Sequence, residues 1–137
     1  MDAKIKETIM HDIVHFGLRL VLGVSFIVHG TEKFNPVFAS YMPSFGIPVE
    51  MQIPIALAEL VSGILLIIGI LNRISALMLA IIMMGAIFVV LHAENYTGQM
   101  GYEYPLVLLA VSLVIIVIGP GRISLSQVIK KIPRILQ

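Results

Sequence analysis

The stretch that decides the fold is Phe16-Gly-Leu-Arg19-Leu-Val-Leu-Gly23-Val-Ser-Phe26-Ile-Val-His29-Gly30-Thr-Glu32-Lys33-Phe34. It is apolar enough to enter a bilayer, yet it carries Arg19 inside and His29, Glu32 and Lys33 at its far end. A charge in hydrocarbon costs at least a few kcal/mol, so a membrane helix that keeps one has a reason to. At about 100° per residue, His15, Arg19, Phe26, His29 and Lys33 fall within a sector of roughly 80°. Gly23 and Gly30 lie beside that sector, where small residues let a neighbouring helix come close. The opposite face (Leu18, Leu22, Ser25) is mostly apolar. The pattern predicts a membrane helix with one polar, tightly packed face.

The rest of the chain agrees. Of 137 residues, 58% are hydrophobic and 12% charged, and the mean hydropathy is +1.01. A soluble domain sits near half apolar and a quarter charged. The length suits one unit, so residues 1–137 are expected to form a single membrane domain. A net charge of +1 says nothing useful about nucleic acid, and no nucleic-acid partner is expected. With no cysteines, the chain itself can form no disulfide, carry out no thiol exchange and ligate no zinc or iron–sulfur cluster through sulfur. No small-residue cleavage motif follows the first apolar run, which reads as a retained helix rather than a signal peptide.

Four spans are predicted, at about residues 13–30, 54–71, 74–92 and 105–118, the first three near the length that a bilayer requires and the fourth shorter. Residues 1–12 read as a helical lead-in at the membrane surface. Between the first two spans, four prolines argue against a long helix, and Phe34, Phe38, Tyr41 and Phe45 suit an interfacial cap. Asn72-Arg73 reads as a tight turn, and the methionines of the third span as packing material. Gly119-Pro120-Gly121 ends the fourth span. Beyond it, Leu125, Val128, Ile129, Ile132 and Leu136 recur against Lys130, Lys131 and Arg134, the pattern of an amphipathic surface helix over residues 122–137. Lys4, Lys6, Arg73, Arg122, Lys130, Lys131 and Arg134 fall on one side and Lys33 on the other. By the positive-inside rule both termini are cytoplasmic. The fold class is therefore all-α, an antiparallel four-helix bundle in the cell membrane with a C-terminal surface helix.

Depth along the helices then gathers the polar groups. Glu59, about five residues into the second span, is roughly 8 Å below the outer surface, the level of His29 and His92. Glu32, Lys33, Glu94, Tyr102, Glu103 and Tyr104 lie nearby, so His29, Glu32, Lys33, Glu59, His92 and Glu103 make a candidate outward pocket. Glu59 is expected to find its partner on the first helix, whether as structural glue or as a proton-handling group. Two histidines with one or two carboxylates also permit a metal reading, but no close-spaced ligand motif supports it. Arg19 reads as snorkelling toward the cytoplasm or as capping another helix's carbonyls, with an anion or cofactor contact as the further alternative. No phosphate loop, dinucleotide fingerprint or Ser–His–Asp arrangement is present.

The segments resemble the DoxX family across nearly the whole chain. The likeness rests on Arg19-Leu-Val-Leu-Gly23, His29-Gly30-Thr-Glu-Lys33-Phe34, Glu59-Leu-Val-Ser-Gly63, Gly69-Ile-Leu-Asn-Arg73 and Gly119-Pro-Gly-Arg-Ile-Ser-Leu125. Two places depart from it. Gly63 is followed by Ile64 where a second glycine is common, and Ser126 stands where an acid is. The resemblance implies a four-helix integral membrane protein, associated in some members with quinone-linked oxidoreductases. Two functions follow. One is a redox subunit whose outer pocket takes a quinone or small substrate, the electrons coming from a partner subunit. The other is a non-catalytic structural or assembly subunit of a larger membrane complex. A small-solute transporter fits less well, because four helices leave little room for alternating access. Whether the chain is itself an enzyme stays open at this point.

Overall fold

The computed structural model describes residues 8–129 and 131–137. Most of the expected N-terminal lead-in, with Lys4 and Lys6, and Lys130 of the tail lie outside the described residues.

Helix α1 runs Ile9–Glu32, four residues earlier and two later than the sequence implied. It starts at Thr8, whose hydroxyl lies 2.9 Å from His11 Nδ1 while its N–H donates to the same nitrogen. The proline-rich connection is not featureless. Asn35 accepts from the Val37 N–H at 2.9 Å and Pro36 supplies the first turn, so a short helix α2 forms over Pro36–Tyr41. Two 3₁₀ turns follow, Met42–Phe45 and Val49–Met51. Helix α3, Gln52–Ile68, stops at Gly69 in the left-handed region (φ 80°). Helix α4, Asn72–Gly85, continues as a π-helical turn over Ala86–Val90. Helix α5 spans Glu103–Ile118. No strand forms among the described residues; one isolated bridge joins Asn95 and Gly101.

Three helical runs are long and apolar enough to cross a membrane: Ile9–Glu32, Val49–Ile68 and Asn72–Val90. Helix α5 is shorter and also apolar. This is a membrane protein, all-helical over its described residues. Helix α1 packs on α3, α3 on α4, α4 on α5, and α5 returns to α1. Between them lie the buried Leu22, Phe26, Leu66, Leu79, Leu108 and Ile115. Leu22 had been expected on the outer face. It is buried because, at about 100° per residue, it falls inside the sector of His15, Arg19, Phe26, His29 and Lys33 rather than opposite it. Of the methionines in α4, Met83 packs in the core, while Met78 and Met84 are exposed.

Helices α1 and α3 run antiparallel through a seam of small residues. A Cβ on Gly23 would sit 2.7 Å from the Gly63 carbonyl oxygen, and one on Gly30 would sit 2.9 Å from that of Ala56. Backbones this close replace side-chain packing, the means by which membrane helices associate without a hydrophobic drive. The seam fixes the register that brings Arg19 to the end of α3 and Lys33 beside its start.

The tail corrects the sequence reading. Among the described residues of 122–137 no continuous surface helix forms. They hold one 3₁₀ turn, Leu125–Gln127, followed by turns. The apolar periodicity is real, but Pro133 removes an amide donor, and the preceding loop is pinned in an extended path by other contacts.

Candidate functional site

The polar groups sort into two clusters at opposite ends of α1. At the Lys33 end, Glu59 is fully buried on α3. Lys33, the residue that closes α1, places Nζ 2.8 Å from Glu59 Oε1 and 2.6 Å from Oε2. One ammonium thus engages both carboxylate oxygens. The same Nζ lies 5.6 Å from the centre of the Phe38 ring on α2, a cation–π arrangement. Gln52 Nε2 donates to the Lys33 carbonyl at 2.8 Å and to that of Asn35 at 3.2 Å. The end of α1, the cap of α2 and the start of α3 are therefore tied together around the ion pair.

Lys33 also opens outward. With His29, Glu32, Asn35, Phe38 and Tyr41 it lines a cleft of about 490 Å³. The His29 ring lies 5.7 Å from the Tyr104 ring, tilted by 34°, so the first turn of α5 reaches the same end. The buried carboxylate is one ion pair away from an open, aromatic-walled cleft. That arrangement can bind a small polar head, and it can hold or pass a proton between Glu59 and Lys33.

The sequence-derived candidates separate here. His29, Glu32 and Lys33 line the cleft, and Glu59 lies behind it. His92 and Glu103 are exposed and line no part of it. His92 follows the π-helical turn with its backbone in the left-handed region (φ 51°), which swings the chain away into the Glu94–Tyr102 loop. In that loop Tyr102 meets Tyr96 edge-on at 5.4 Å. Among the described residues, no three His, Asp or Glu side chains gather at metal-ligand spacing. Asn35 and Gln52 were missed by the sequence reading. Asn35 carries a signal, since Asn before Pro is a helix-start pair; Gln52 carries none.

At the other end, Arg19 is buried and surrounded by carbonyls. Its Nε donates to Leu66 at 2.9 Å, Nη2 to Ile67 at 3.0 Å, and Nη1 to Pro120 and Ile123 at 2.6 Å each. Asn72 is also buried beside it, and with its amide oxygen toward Arg19 Nε (3.2 Å) its amide nitrogen reaches the Leu65 carbonyl (3.3 Å). The guanidinium caps the last carbonyls of α3, where the helix dipole favours a cation, and holds the Gly119–Ser126 loop against the bundle. Of the roles open to Arg19, it takes the capping one. Ser126 sits in that loop and donates its N–H to the Gly69 carbonyl at 3.1 Å. Gly69 is required there: besides its positive φ, any Cβ would sit 2.6 Å from Arg19 Nη2.

Comparison with known proteins agrees with this architecture. The DoxX family model matches residues 14–92, which include Arg19, the glycine seam, Lys33 and Glu59. A Bacillus subtilis (strain 168) protein described as "Putative oxidoreductase CatD" is 33% identical over 70% of this chain and 73% of its own length. An uncharacterized protein of Haemophilus influenzae (strain ATCC 51907 / DSM 11121 / KW20 / Rd) is 34% identical over 84% of this chain and 82% of its own. No solved structure matches the chain.

Proposed function

The chain belongs to the DoxX family, and on that premise we propose that it is a cell-membrane subunit of a quinone-linked redox system. In this reading its four helices α1, α3, α4 and α5 form an antiparallel bundle with both termini in the cytoplasm. The His29–Lys33 cleft then faces outward. The observation that carries the proposal is the fully buried Glu59 carboxylate, joined through Lys33 to that cleft. The oxidoreductase name of the Bacillus relative supports the redox class.

The cleft residues suit a quinone head. A carbonyl oxygen needs donors, which Lys33 Nζ and a His29 ring nitrogen supply, and the ring needs apolar walls, which Phe38, Val37 and Tyr41 supply. When bound, such a group supplies reversible two-electron, two-proton chemistry, with electrons delivered by a partner subunit. This chain's own part is protonic and positional. Glu59 holds or releases a proton at a carboxylate oxygen against Lys33 Nζ. Tyr104 steadies the His29 ring, and Phe38 of α2 lies against the Lys33 ammonium.

A second reading, an assembly subunit without catalysis, rests on a different observation: both buried charges, Arg19 and Glu59, are met by partners within the chain. The two separate in one experiment. With Glu59→Gln at matched abundance, the first reading expects quinone-dependent turnover of the membranes to fall while partner subunits still co-purify. Retained turnover with lost co-purification would favour the second.

A further inference from the structure

The cleft beside Lys33 carries a sign. Its one lysine is neutralised from within: Lys33 Nζ meets both oxygens of the buried Glu59, at 2.8 and 2.6 Å, so the pair presents little net charge to a ligand. Glu32, in the last turn of α1, lines the same cleft, is exposed, and forms no ion pair among the described residues. A molecule entering the cleft meets that carboxylate directly.

The surroundings strengthen the sign. Glu50 before α3, Glu94 in the loop after α4 and Glu103 at the start of α5 are all exposed at this end of the bundle. Lys33 is the only lysine or arginine there among the described residues, since Arg19, Arg73 and Arg122 gather at the other end with the tail. The cleft is also built on the C-terminal turn of α1, the negative end of its dipole. The start of the short α2 faces it too, but the Val37 N–H is already taken by Asn35 Oδ1 at 2.9 Å. The remaining N–H of Lys33 can donate to a carbonyl or to an anion alike, with no net charge behind it.

We infer that the cleft admits uncharged ring ligands, rejects anionic ones, and owes that choice to Glu32. The inference rests on the quinone reading and narrows it: the head is a quinone with no ionised hydroxyl, carboxylate or sulfonate on its ring. Two like charges a few ångströms apart beside water repel by an amount worth about fivefold in affinity.

The test uses the full chain in phosphatidylcholine vesicles and two probes with the same ring system. One is a methoxynaphthoquinone, which is neutral. The other is the matching hydroxynaphthoquinone, with the hydroxyl on the quinone ring, where it is acidic and ionised at neutral pH. Equilibrium dialysis against protein-free vesicles removes the part due to lipid. Wild type is expected to hold the methoxy probe about fivefold more tightly than the hydroxy probe. Glu32→Gln, which keeps the shape and removes the charge, is expected to erase most of that ratio. Raising salt from about 0.01 M to 1 M, which shortens the screening length from about 30 Å to 3 Å, is expected to do the same. Glu103→Gln, at the same end but outside the cleft, is expected to leave most of the ratio in place. Binding of neither probe above protein-free vesicles would overturn the quinone reading and this inference with it. Methoxy binding that the hydroxy probe equals or exceeds would overturn the inference alone. So would a ratio that Glu32→Gln leaves standing, or that Glu103→Gln erases equally.

Discussion

Removing one partner of the Lys33–Glu59 pair is expected to cost more than removing both. Glu59 is fully buried and the Lys33 side chain is 19% exposed, with contacts of 2.6 and 2.8 Å to the two carboxylate oxygens. Breaking such a pair from one side strands a charge in a poorly hydrated place, at about 3–5 kcal/mol. Glu59→Leu, which leaves the Lys33 ammonium facing an apolar side chain, belongs at the upper end. Glu59→Gln belongs at the lower end, since its amide oxygen still accepts one hydrogen bond. The double replacement Lys33→Met with Glu59→Leu leaves neither charge, and replacing a buried pair by apolar groups of similar volume is often neutral or stabilising. Chemical unfolding in detergent, followed by circular dichroism, compares wild type, the two single variants and the double variant. The expected order of stability is wild type and double variant together, then Glu59→Gln, then Glu59→Leu. If Glu59→Leu alone proves as stable as the double variant, the pair is not an energetic unit and the reasoning fails.

Other outcomes follow from the same contacts. Gly23→Ala forces a Cβ to 2.7 Å from the Gly63 carbonyl and is expected to destabilise the fold by about 1–3 kcal/mol, whereas Gly17→Ala meets nothing within 4 Å and should be neutral or mildly stabilising by the same unfolding assay. Arg19→Lys keeps the charge but cannot reach four carbonyls on two segments, so limited proteolysis should cut the Gly119–Ser126 loop faster than in wild type; unchanged cleavage would deny the clamp. Reporters fused after Gln137 should report the cytoplasm and one inserted at Gly98 the outside, and the reverse result would turn the Lys33 cleft inward.

Much of this architecture was legible because membrane helices advertise what they cannot hide. Each charge inside an apolar run requires a partner, so Arg19 and Glu59 stood out, and the alternatives written for Arg19 included the carbonyl capping that the structure shows. Gly23 and Gly30 marked the close helix face for the same reason. What escaped the sequence has physical causes. The acceptors around Arg19 are backbone carbonyls, which carry no residue identity, so nothing announced that residues 119–126 would fold back onto α3. The tail's apolar spacing suited a helix, yet periodicity alone does not outweigh a pinned loop and Pro133. Depth arithmetic set His92 level with Glu59, but it could not foresee that a π-helical turn and two left-handed residues would carry the following loop elsewhere. The cap of α2 shows the opposite case, a short helix written in Asn35-Pro36 and overlooked among the prolines.

The central claim is that Glu59, buried behind Lys33, exchanges a proton when the His29–Lys33 cleft is engaged. Redox-induced infrared difference spectroscopy on membranes containing the chain tests it directly, with quinol added as the trigger. The account predicts a carboxyl stretching band that appears or shifts on quinol addition and is missing in Glu59→Gln membranes of equal abundance. Difference spectra identical in wild type and Glu59→Gln would contradict it and leave the pair a purely structural clasp.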